Sequence, residues 1–487
     1  MIPELLAPAP SYRAGVLVVG SGAGGATTAA LLAEAGFDVL VVEEGPWVDQ
    51  DTVVPFSLDQ MDRQYRSGGV TVALGLPSIA YTEGRCAGGG TEVNSGLYFR
   101  PPVEVIERWR SEYRIDALDL DELDAIADEV EAAINVTTVP GAPTPASEIL
   151  RRGAASLGWR HSEIPRWMRY PPGGDAVSGK RQSMTRTYLP RAFASGARML
   201  TGCRVDRLIR DGAGSVRAQI THASGERGTI ACRSVFVCGG AIQTPALLQR
   251  SGIRRHIGRS LAVHPTVKLA ARFADEINVP DDVPVHQVKE FAPHLSFGGS
   301  ASHPGLVALA LSDHWNEFSS AIEDWRRMSV YYAAITSQGR GTVLALPGLR
   351  DPVVTYRLTA RDREVLRSGL GRLALLLLEA GATDVFPSFR DAPRVRNRTD
   401  LGEMQRSFSA SKASVMTVHL CSTVPLGEDR SRCGADSFGR VHGAPDLVVN
   451  DASLLPDAPG VNPQATVMAF AIRNVRHFID TAGSPRG

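Results

Sequence analysis

The chain has 487 residues, which is long enough to bury a large core and favours two or more domains. Its 52 Lys and Arg residues equal its 52 Asp and Glu residues, so its charge gives no reason to expect nucleic acid or an anionic membrane as a partner. Only four of the basic residues are lysines, which we attribute to codon usage rather than to a basic patch.

The cysteines and the first residues of the chain indicate the compartment. No CxxC pair occurs, so we expect reduced thiols, no disulfides and no metal site. The start of the chain lacks the basic and long apolar regions of a signal peptide, and no stretch approaches the roughly 20 apolar residues of a membrane span. We therefore predict a cytoplasmic protein without a membrane span. The cysteines are Cys86, Cys203, Cys232, Cys238, Cys421 and Cys433.

The first strong motif lies close to the start of the chain. A β-branched apolar run precedes Gly20, Gly22 and Gly25, and an Ala- and Leu-rich segment then leads to a second apolar run that ends at Glu43. This strand, turn, helix and strand order is the dinucleotide fingerprint: the glycines permit close approach of a pyrophosphate, and the acid takes the ribose hydroxyls. An acid at this position disfavours a 2′-phosphate, but the fingerprint alone does not distinguish NAD from FAD.

A second strand and turn of the same kind occurs at 234–238, where a Gly-Gly pair leads into another helix. On its own it indicates one more βα unit of the same parallel sheet. Because it lies so far from the first unit, the nucleotide domain is predicted to be discontinuous.

Five later segments differ in kind: several of them alternate apolar and polar residues, and Gly-rich or Pro-rich turns join them. We predict that they form an antiparallel sheet with one face turned towards a ligand, in a second, substrate-side domain. The predicted strands are 266–273, 306–311, 329–338, 342–346 and 353–358.

Three stretches together resemble the glucose-methanol-choline (GMC) oxidoreductase family, which oxidises alcohols with FAD. They are "GRCAGGGTEVNSGLYFR" (84–100), "GAIQTPALLQRSGI" (240–253) and the segment 439–475, whose "GVNP" is closest to the cholesterol-oxidase-like branch. Arg254 stands where the second signature usually has Gly. The resemblance implies an α/β fold with a discontinuous Rossmann-like FAD-binding domain and an α+β substrate domain built on an antiparallel sheet.

The same resemblance suggests how the chain is divided. We expect the FAD-binding domain to comprise residues 1–100, 195–264 and 433–487. The substrate-binding domain is then formed by residues 101–194 and 265–432.

The resemblance also assigns the cofactor and its contacts. In "GGGTEVN" three glycines leave room for backbone N–H groups to approach a flavin or a pyrophosphate. Some relatives link FAD covalently through a His at the position of Val93, so FAD is expected to be held non-covalently here. The expected contacts are Gly20, Gly22, Gly25, Glu43, Arg85, Gly89, Gly90, Asn94, the backbone of Val205, Asp451, Asn462 and Pro463.

Oxidation of an alcohol removes a hydroxyl proton while a hydride leaves carbon, so the site needs a base. "VHLCSTVPLG" (418–427) resembles the family's active-site His segment and places His419 at the base position. Leu420 and Ser422 replace the usual Pro and Gly of that segment. His264 and His442 lie in family-like stretches and are interpreted as structural.

Asn462 and Pro463 open a segment with helical apolar spacing and have two interpretations. Locally, Asn caps a helix well and Pro suits its first position. In the family, the position of Asn462 carries the second catalytic side chain, which faces the substrate oxygen, while the positive end of the helix faces the flavin. Both roles can hold together.

The favoured function is FAD-dependent oxidation of a small-molecule alcohol to an aldehyde or ketone, with hydride transfer to flavin N5 and with O2 or another compound as electron acceptor. A sugar or aminosugar hydroxyl is the preferred substrate, and sterol or long-chain alcohols are alternatives. A flavin-containing lyase of the hydroxynitrile type keeps the fold but changes the class. A nicotinamide-dependent dehydrogenase is disfavoured by the loop 84–94.

Overall fold

The computed structural model describes residues 5–211, 214–279 and 282–482. Its strands are β1 (Ser11–Arg13), β2 (Val16–Val19), β3 (Val39–Val42), β4 (Thr71–Ala73), β5 (Ile79–Tyr81), β6 (Val136–Thr137), β7 (His161–Glu163), β8 (Arg166–Arg169), β9 (Lys180–Arg181), β10 (Arg198–Leu200), β11 (Cys203–Arg210), β12 (Val216–His222), β13 (Arg227–Cys232), β14 (Ser234–Val237), β15 (Ala262–Val263), β16 (Thr266–Arg272), β17 (His286–Val288), β18 (Leu295–Ser300), β19 (Met328–Ile335), β20 (Arg340–Leu344), β21 (Val353–Arg357), β22 (Asp384–Pro387), β23 (Val415–Thr417), β24 (Leu420–Cys421), β25 (Arg440–Val441) and β26 (Ala444–Val449).

The helices are α1 (Ala23–Glu34), α2 (Leu58–Gln64), α3 (Val103–Glu112), α4 (Leu120–Ala133), α5 (Pro145–Ser156), α6 (Tyr188–Ala194), α7 (Gly240–Arg250), α8 (Pro304–Leu311), α9 (Trp315–Phe318), α10 (Ala360–Glu379), α11 (Arg398–Ser407) and α12 (Gln464–Thr481). No helix within the described ranges is both long enough and apolar enough to cross a membrane.

A six-stranded sheet of order β10-β3-β2-β14-β26-β25 carries the dinucleotide motif. Every pair in it is parallel except β25 with β26. Strands β2 and β3 read Val-Leu-Val-Val and are buried throughout, as expected for parallel strands covered on both faces. The Rossmann-like α/β arrangement predicted from the sequence is confirmed, and the sheet brings strands from both ends and the middle of the chain together.

A nine-stranded sheet follows the path β4-β5-β23-β16-β19-β18-β17-β7, with β22 paired to β16. Its central pairs are antiparallel, and its two faces differ. On β16, Val267 and Leu269 are buried in the core that includes α10, whereas Thr266 and Lys268 line a cavity. This alternation is what a sheet with one face on a core and one face on a ligand site requires.

Two details differ from the predicted arrangement of strands. The run 306–311 lies in helix α8 and is not a strand, because Pro304 begins the helix and its Leu and Ala residues favour a helix. Strands β20 and β21 pair with each other in a separate two-stranded sheet.

Strands β4 and β5 lie in the predicted segment 1–100 but belong to the nine-stranded sheet, where β5 pairs with β23. That segment therefore contributes to both sheets. The division of the chain into two domains stays a proposal.

Candidate active site

A cavity of about 550 Å³ is lined by residues from both large sheets. Among the predicted site residues, Gly25 and Arg85 do not line it. Those that do are Gly20, Gly22, Glu43, Gly89, Gly90, Asn94, Val205, His419, Asp451, Asn462 and Pro463.

The glycines of the dinucleotide motif are explained by close backbone packing. Gly20 has a φ of +96°, and a Cβ there would collide with the carbonyl oxygen of Cys238. A Cβ at Gly25 would collide with the carbonyl oxygen of Gly20, so Gly25 allows α1 to lie close to its strand. At Gly22 and Gly90 a Cβ would point into open space on the cavity side, since its nearest atom is 4.0 Å away at Gly22 and none lies within 4 Å at Gly90.

Two helices direct uncapped N-termini towards this cavity. Helix α1 has Gly22 as N-cap and α12 has Pro463, and neither has a side-chain cap or an acid in its first turn. Their first backbone N–H groups and the positive helix ends are therefore available to a phosphate or to another group that carries negative charge.

Glu43 follows β3 at the cavity and is held by the chain itself. Its carboxylate accepts hydrogen bonds from Ser21 N (3.1 Å), Ser21 Oγ (2.7 Å) and Gly45 N (2.9 Å). Ser21 Oγ also accepts a hydrogen bond from Gly88 N at 3.1 Å, which ties the dinucleotide turn to the second Gly-rich loop. Burial raises the pKa of Glu43, and the three donors oppose that rise.

Arg85 does not line the cavity but pairs with Glu44, which does, with Nε 3.6 Å from Oε1. Glu44 is also 2.7 Å from Arg66 and 3.0 Å from Arg350. Burial alone would raise the pKa of Glu44, but Arg66, Arg350 and Arg85 lower it to about 2. A contact between Arg85 and a cofactor stays a prediction.

The remaining predicted contacts come from three distant segments. Asn94 Nδ2 donates to Gln464 Oε1 at 2.8 Å, and its Oδ1 accepts from Gly96 N at 3.0 Å. Asp451 accepts from Gly240 N (2.7 Å) and Thr244 Oγ1 (2.5 Å), so it caps the start of α7. Val205 lies on β11 at a register shift and also lines the cavity.

His419 lies between two partners at the cavity. Its Nδ1 is 2.9 Å from Nδ1 of His264, and its Nε2 is 3.3 Å from the side-chain amide of Asn462. The rings of His419 and His264 are nearly perpendicular, at 86°. Gly460 N donates to Nε2 of His264 at 3.0 Å, so both nitrogens of His264 are engaged.

These contacts determine the proton positions on both rings. A backbone N–H can only donate, so Nε2 of His264 accepts from Gly460 and the neutral ring carries its proton on Nδ1. That proton is donated to Nδ1 of His419, which leaves the proton of neutral His419 on Nε2. An Nε2–H pairs with the amide oxygen of Asn462, and we assign the amide orientation accordingly.

Asn462 is not the cap of α12. The helix begins at Gln464 with Pro463 as its N-cap, and the Asn462 amide contacts His419 instead. The local prediction that Asn462 caps the helix, with Pro463 in its first position, is therefore wrong. Pro463 occupies the N-cap position instead, and Asn462 lines the cavity.

His419 is neutral near pH 7. Burial, reinforced by the positive charge of Lys289, lowers its pKa to about 4. Burial also lowers the pKa of His264, and His419 and Lys289 add to that effect.

The lining fits a dinucleotide that carries a flavin. The space beside Gly22 and Gly90 is kept open next to the free N-terminus of α1, and the N-terminus of α12 opens beside His419 and Asn462. A flat ring system with a pyrophosphate would meet backbone donors at both helix ends. Within the described ranges, no group of three or more His, Cys, Asp or Glu is arranged to hold a metal ion.

Sequence reasoning missed four residues that the fold brings to this site: Ser21, His264, Gln464 and Arg66. Ser21 lies between Gly20 and Gly22, so the glycine motif itself could have indicated that it belongs to the site. The other three act on partners far away in the chain, and no local pattern indicates such contacts.

Two models of the GMC oxidoreductase family match residues 61–266 and 337–471, and an NAD(P)-binding Rossmann-like domain matches residues 18–48. An uncharacterized GMC-type oxidoreductase from Sinorhizobium fredii is 39% identical over 95% of this chain and 94% of its own length.

Two further matches carry activities in their names. The 6'''-hydroxyparomomycin C oxidase of Streptomyces lividus is 27% identical over 95% of this chain and 90% of its own length. The crystal structure of pyridoxine 4-oxidase from "Mesorbium loti" matches with a TM-score of 0.73 and 20% identity, over 96% of this chain and 99% of that one. The second match concerns the fold alone.

Proposed function

Since the chain belongs to the GMC oxidoreductase family, we propose that it oxidises the hydroxyl-bearing carbon of an alcohol with non-covalently bound FAD. The observation that carries the proposal is the meeting of His419 and Asn462 in one cavity with the dinucleotide motif. FAD, when bound, supplies the acceptor for the hydride that leaves the alcohol carbon. Val93 lines the same cavity and offers no group that could form a covalent link.

His419 and Asn462 would hold the alcohol oxygen between them. In the resting tautomer His419 donates from Nε2, and the amide of Asn462 adds a neutral donor or acceptor beside it. To take up the hydroxyl proton, Nε2 must first be free, so the His419 proton must move to Nδ1 and the His264 proton to its Nε2. That change leaves the partly exposed Gly460 N–H without its acceptor and so disfavours the base form.

His264 is therefore a positioning residue in this proposal. It fixes the orientation of the His419 ring and sets how readily the base form appears. The sequence-based interpretation of His264 as purely structural does not account for its contact with the proposed base.

The experiment is anaerobic addition of an alcohol panel to the yellow holoenzyme, with flavin absorbance as readout. Bleaching by at least one alcohol supports the proposal, and re-oxidation in air tests O2 as the electron acceptor. His419→Ala should slow reduction by about a hundredfold to ten-thousandfold while FAD stays bound. His442→Ala is the matched control, because His442 contacts Gly427 and does not line the cavity.

A lyase of the hydroxynitrile type would use His419 for acid-base work without net flavin reduction. Absence of bleaching with every alcohol, together with release of cyanide from a cyanohydrin, would replace the proposal by that alternative.

A further inference from the structure

Two of the four lysines of the chain line the cavity. Lys268 and Lys289 both lie there, whereas Lys180 and Lys412 are exposed and paired with Asp51 and Asp391. Arg supplies almost all the basic side chains of this chain, yet half of its few lysines lie in one cavity.

Lys268 stands on β16 and points to the cavity face of the nine-stranded sheet. Its neighbours Val267 and Leu269 face the core, and its cross-strand partner Tyr332 on β19 also lines the cavity. Across the described residues, the Lys268 ammonium forms no ion pair and no hydrogen bond. Burial lowers its pKa to about 8.

Lys289 follows β17 and lies near the two histidines. Its Nζ sits 4.3 Å from the centroid of the Phe99 ring, and its charge contributes to the lowered pKa of both His419 and His264. Like Lys268, it has no carboxylate partner in the described part of the chain. Burial lowers its pKa to about 8 as well.

The acids of the cavity lie on the dinucleotide side and are already bound. Glu43 and Asp451 accept hydrogen bonds from the chain, and Glu44 and Glu83 face Arg66. The described cavity residues of the nine-stranded sheet are neutral or cationic and include no acid. They are Thr266, Lys268, Gln287, Ser296, Gly299, Ser300, Tyr332, Ala334, Ile335, Met416 and Thr417, with Lys289 next to β17.

An ammonium group that is taken out of water without a partner lowers the stability of the fold, and an apolar residue of similar length would not. Two of them on one face of one cavity indicate a ligand that supplies the missing negative charge. A cationic substrate such as an aminosugar would be repelled by the same pair.

Resting on the proposed function, we propose that the substrate is an alcohol that also carries an oxyanion group, a carboxylate or a phosphate, bound by Lys268 and Lys289. Gln287 extends the same face, since its Nε2 donates to the Tyr332 hydroxyl at 3.2 Å. That contact leaves the Tyr332 proton free to donate to the anion.

The test compares alcohols that differ only in charge. The probes are 4-(hydroxymethyl)benzoate, 4-(hydroxymethyl)phenyl phosphate, 4-(hydroxymethyl)benzamide and 4-(aminomethyl)benzyl alcohol, each in anaerobic flavin reduction. We expect one of the two anions to give an apparent Kd about 10- to 150-fold below that of the amide, the range for a hydrogen bond to a charged group, and the amine to bind most weakly. The better of the two anions identifies the oxyanion.

Lys268→Met and Lys289→Met should each bring the apparent Kd of the anions close to that of the amide. Lys412→Met is the matched control, since that lysine is exposed and paired with Asp391. A second readout needs no oxidation: benzoate and inorganic phosphate are titrated into the holoenzyme and the flavin absorbance change is followed. Their affinity should fall as pH rises through about 8, where both lysines lose their protons.

The outcomes separate this proposal from the proposed function. Equal binding of amide and anions, or retention of the anion preference in both lysine variants, overturns the proposal. If Lys289→Met abolishes flavin reduction by the amide and by the anions alike, the proposal is also overturned, because Lys289 would then act on the proton transfer and not on the anion. If no alcohol reduces the flavin but benzoate or phosphate binds in a lysine-dependent way, the oxidation fails and the anion site stands.

Discussion

Nδ1 of His264 and Nδ1 of His419 lie 2.9 Å apart, and one proton serves both atoms. Because Gly460 N donates to the far nitrogen of His264, the shared proton belongs to His264 in the resting pair. The backbone of the loop before α12 thereby controls which nitrogen of His419 is free.

The first prediction is the tautomer of each ring. In ¹⁵N-histidine NMR spectra at pH 7, His264 should be in the Nδ1–H form and His419 in the Nε2–H form. His442 is an internal reference, because its Nε2 lies 3.2 Å from the carbonyl oxygen of Gly427 and must carry its proton there. Assignment uses His264→Phe and His419→Phe. An Nε2–H form of His264 would contradict the resting network.

The second prediction concerns stability against pH. The ordinary pKa of His419 is 6.5 and its folded pKa is lowered to about 4, so the unfolded chain takes up a proton first. Stability is therefore unaffected by this group above pH 6.5 and falls as pH drops from 6.5 towards 4, by about 3 kcal/mol in total. His419→Asn should flatten this part of the curve of Tm against pH. An unchanged slope would remove His419 as its cause.

The third prediction is the effect of Asn462→Asp. A carboxylate 3.3 Å from Nε2 of His419 stabilises the charged imidazole, so the His419 pKa should rise by about 1–3 units. A base must be neutral, so flavin reduction should slow at pH 6 and recover as pH increases. Asn462→Ala is the control and should show no such upward shift. If Asn462→Asp leaves the pH dependence of flavin reduction unchanged, the side chain at this position does not act on the proton transfer.

The fourth prediction concerns how FAD is held. Acid precipitation should release yellow FAD into the supernatant, since Val93 cannot bond it. Glu43→Gln should raise the FAD Kd by about 10- to 150-fold through loss of a charged acceptor, measured by the fluorescence of released flavin. Asp38→Asn is the control, because Asp38 pairs with the exposed Arg198 and does not line the cavity. Yellow colour that stays with the precipitated protein would show that FAD is covalently attached.

The fifth prediction tests the ion cluster beside the cavity. Arg66 is nearly buried and faces Glu44, Glu83 and Asp351. Arg66→Met leaves the buried carboxylate of Glu83 without its cation and should cost about 3–5 kcal/mol in unfolding free energy. Arg63→Met breaks an exposed pair with Asp59 and should cost less than about 1 kcal/mol. Similar losses in both variants would show that the cluster adds nothing beyond a surface pair.

The glycine motif was predictable because its demands are local: Gly20 needs its positive φ and Gly25 its close packing wherever the rest of the chain lies. His419 and Asn462 could be predicted only through the family resemblance. The partnership of His264 with His419 and the convergence of Lys268 and Lys289 depend on strand pairing between distant segments, which no short pattern contains. The run 306–311 shows the opposite limit, because a short continuous apolar run fits a buried strand as well as a helix, while Pro304 and the Leu and Ala content favour the helix.

The order of the six-stranded sheet has a consequence for biosynthesis. Strand β14 pairs with β26, and the cavity needs the start of α12, which begins only at Gln464. The chain leaves the ribosome from its N-terminus at about 5–20 residues per second. Nearly all of it must therefore be synthesised before the last wall of the cofactor cavity exists. The proposed binding of FAD must then follow the synthesis of α12, and truncation before Gln464 should yield colourless protein.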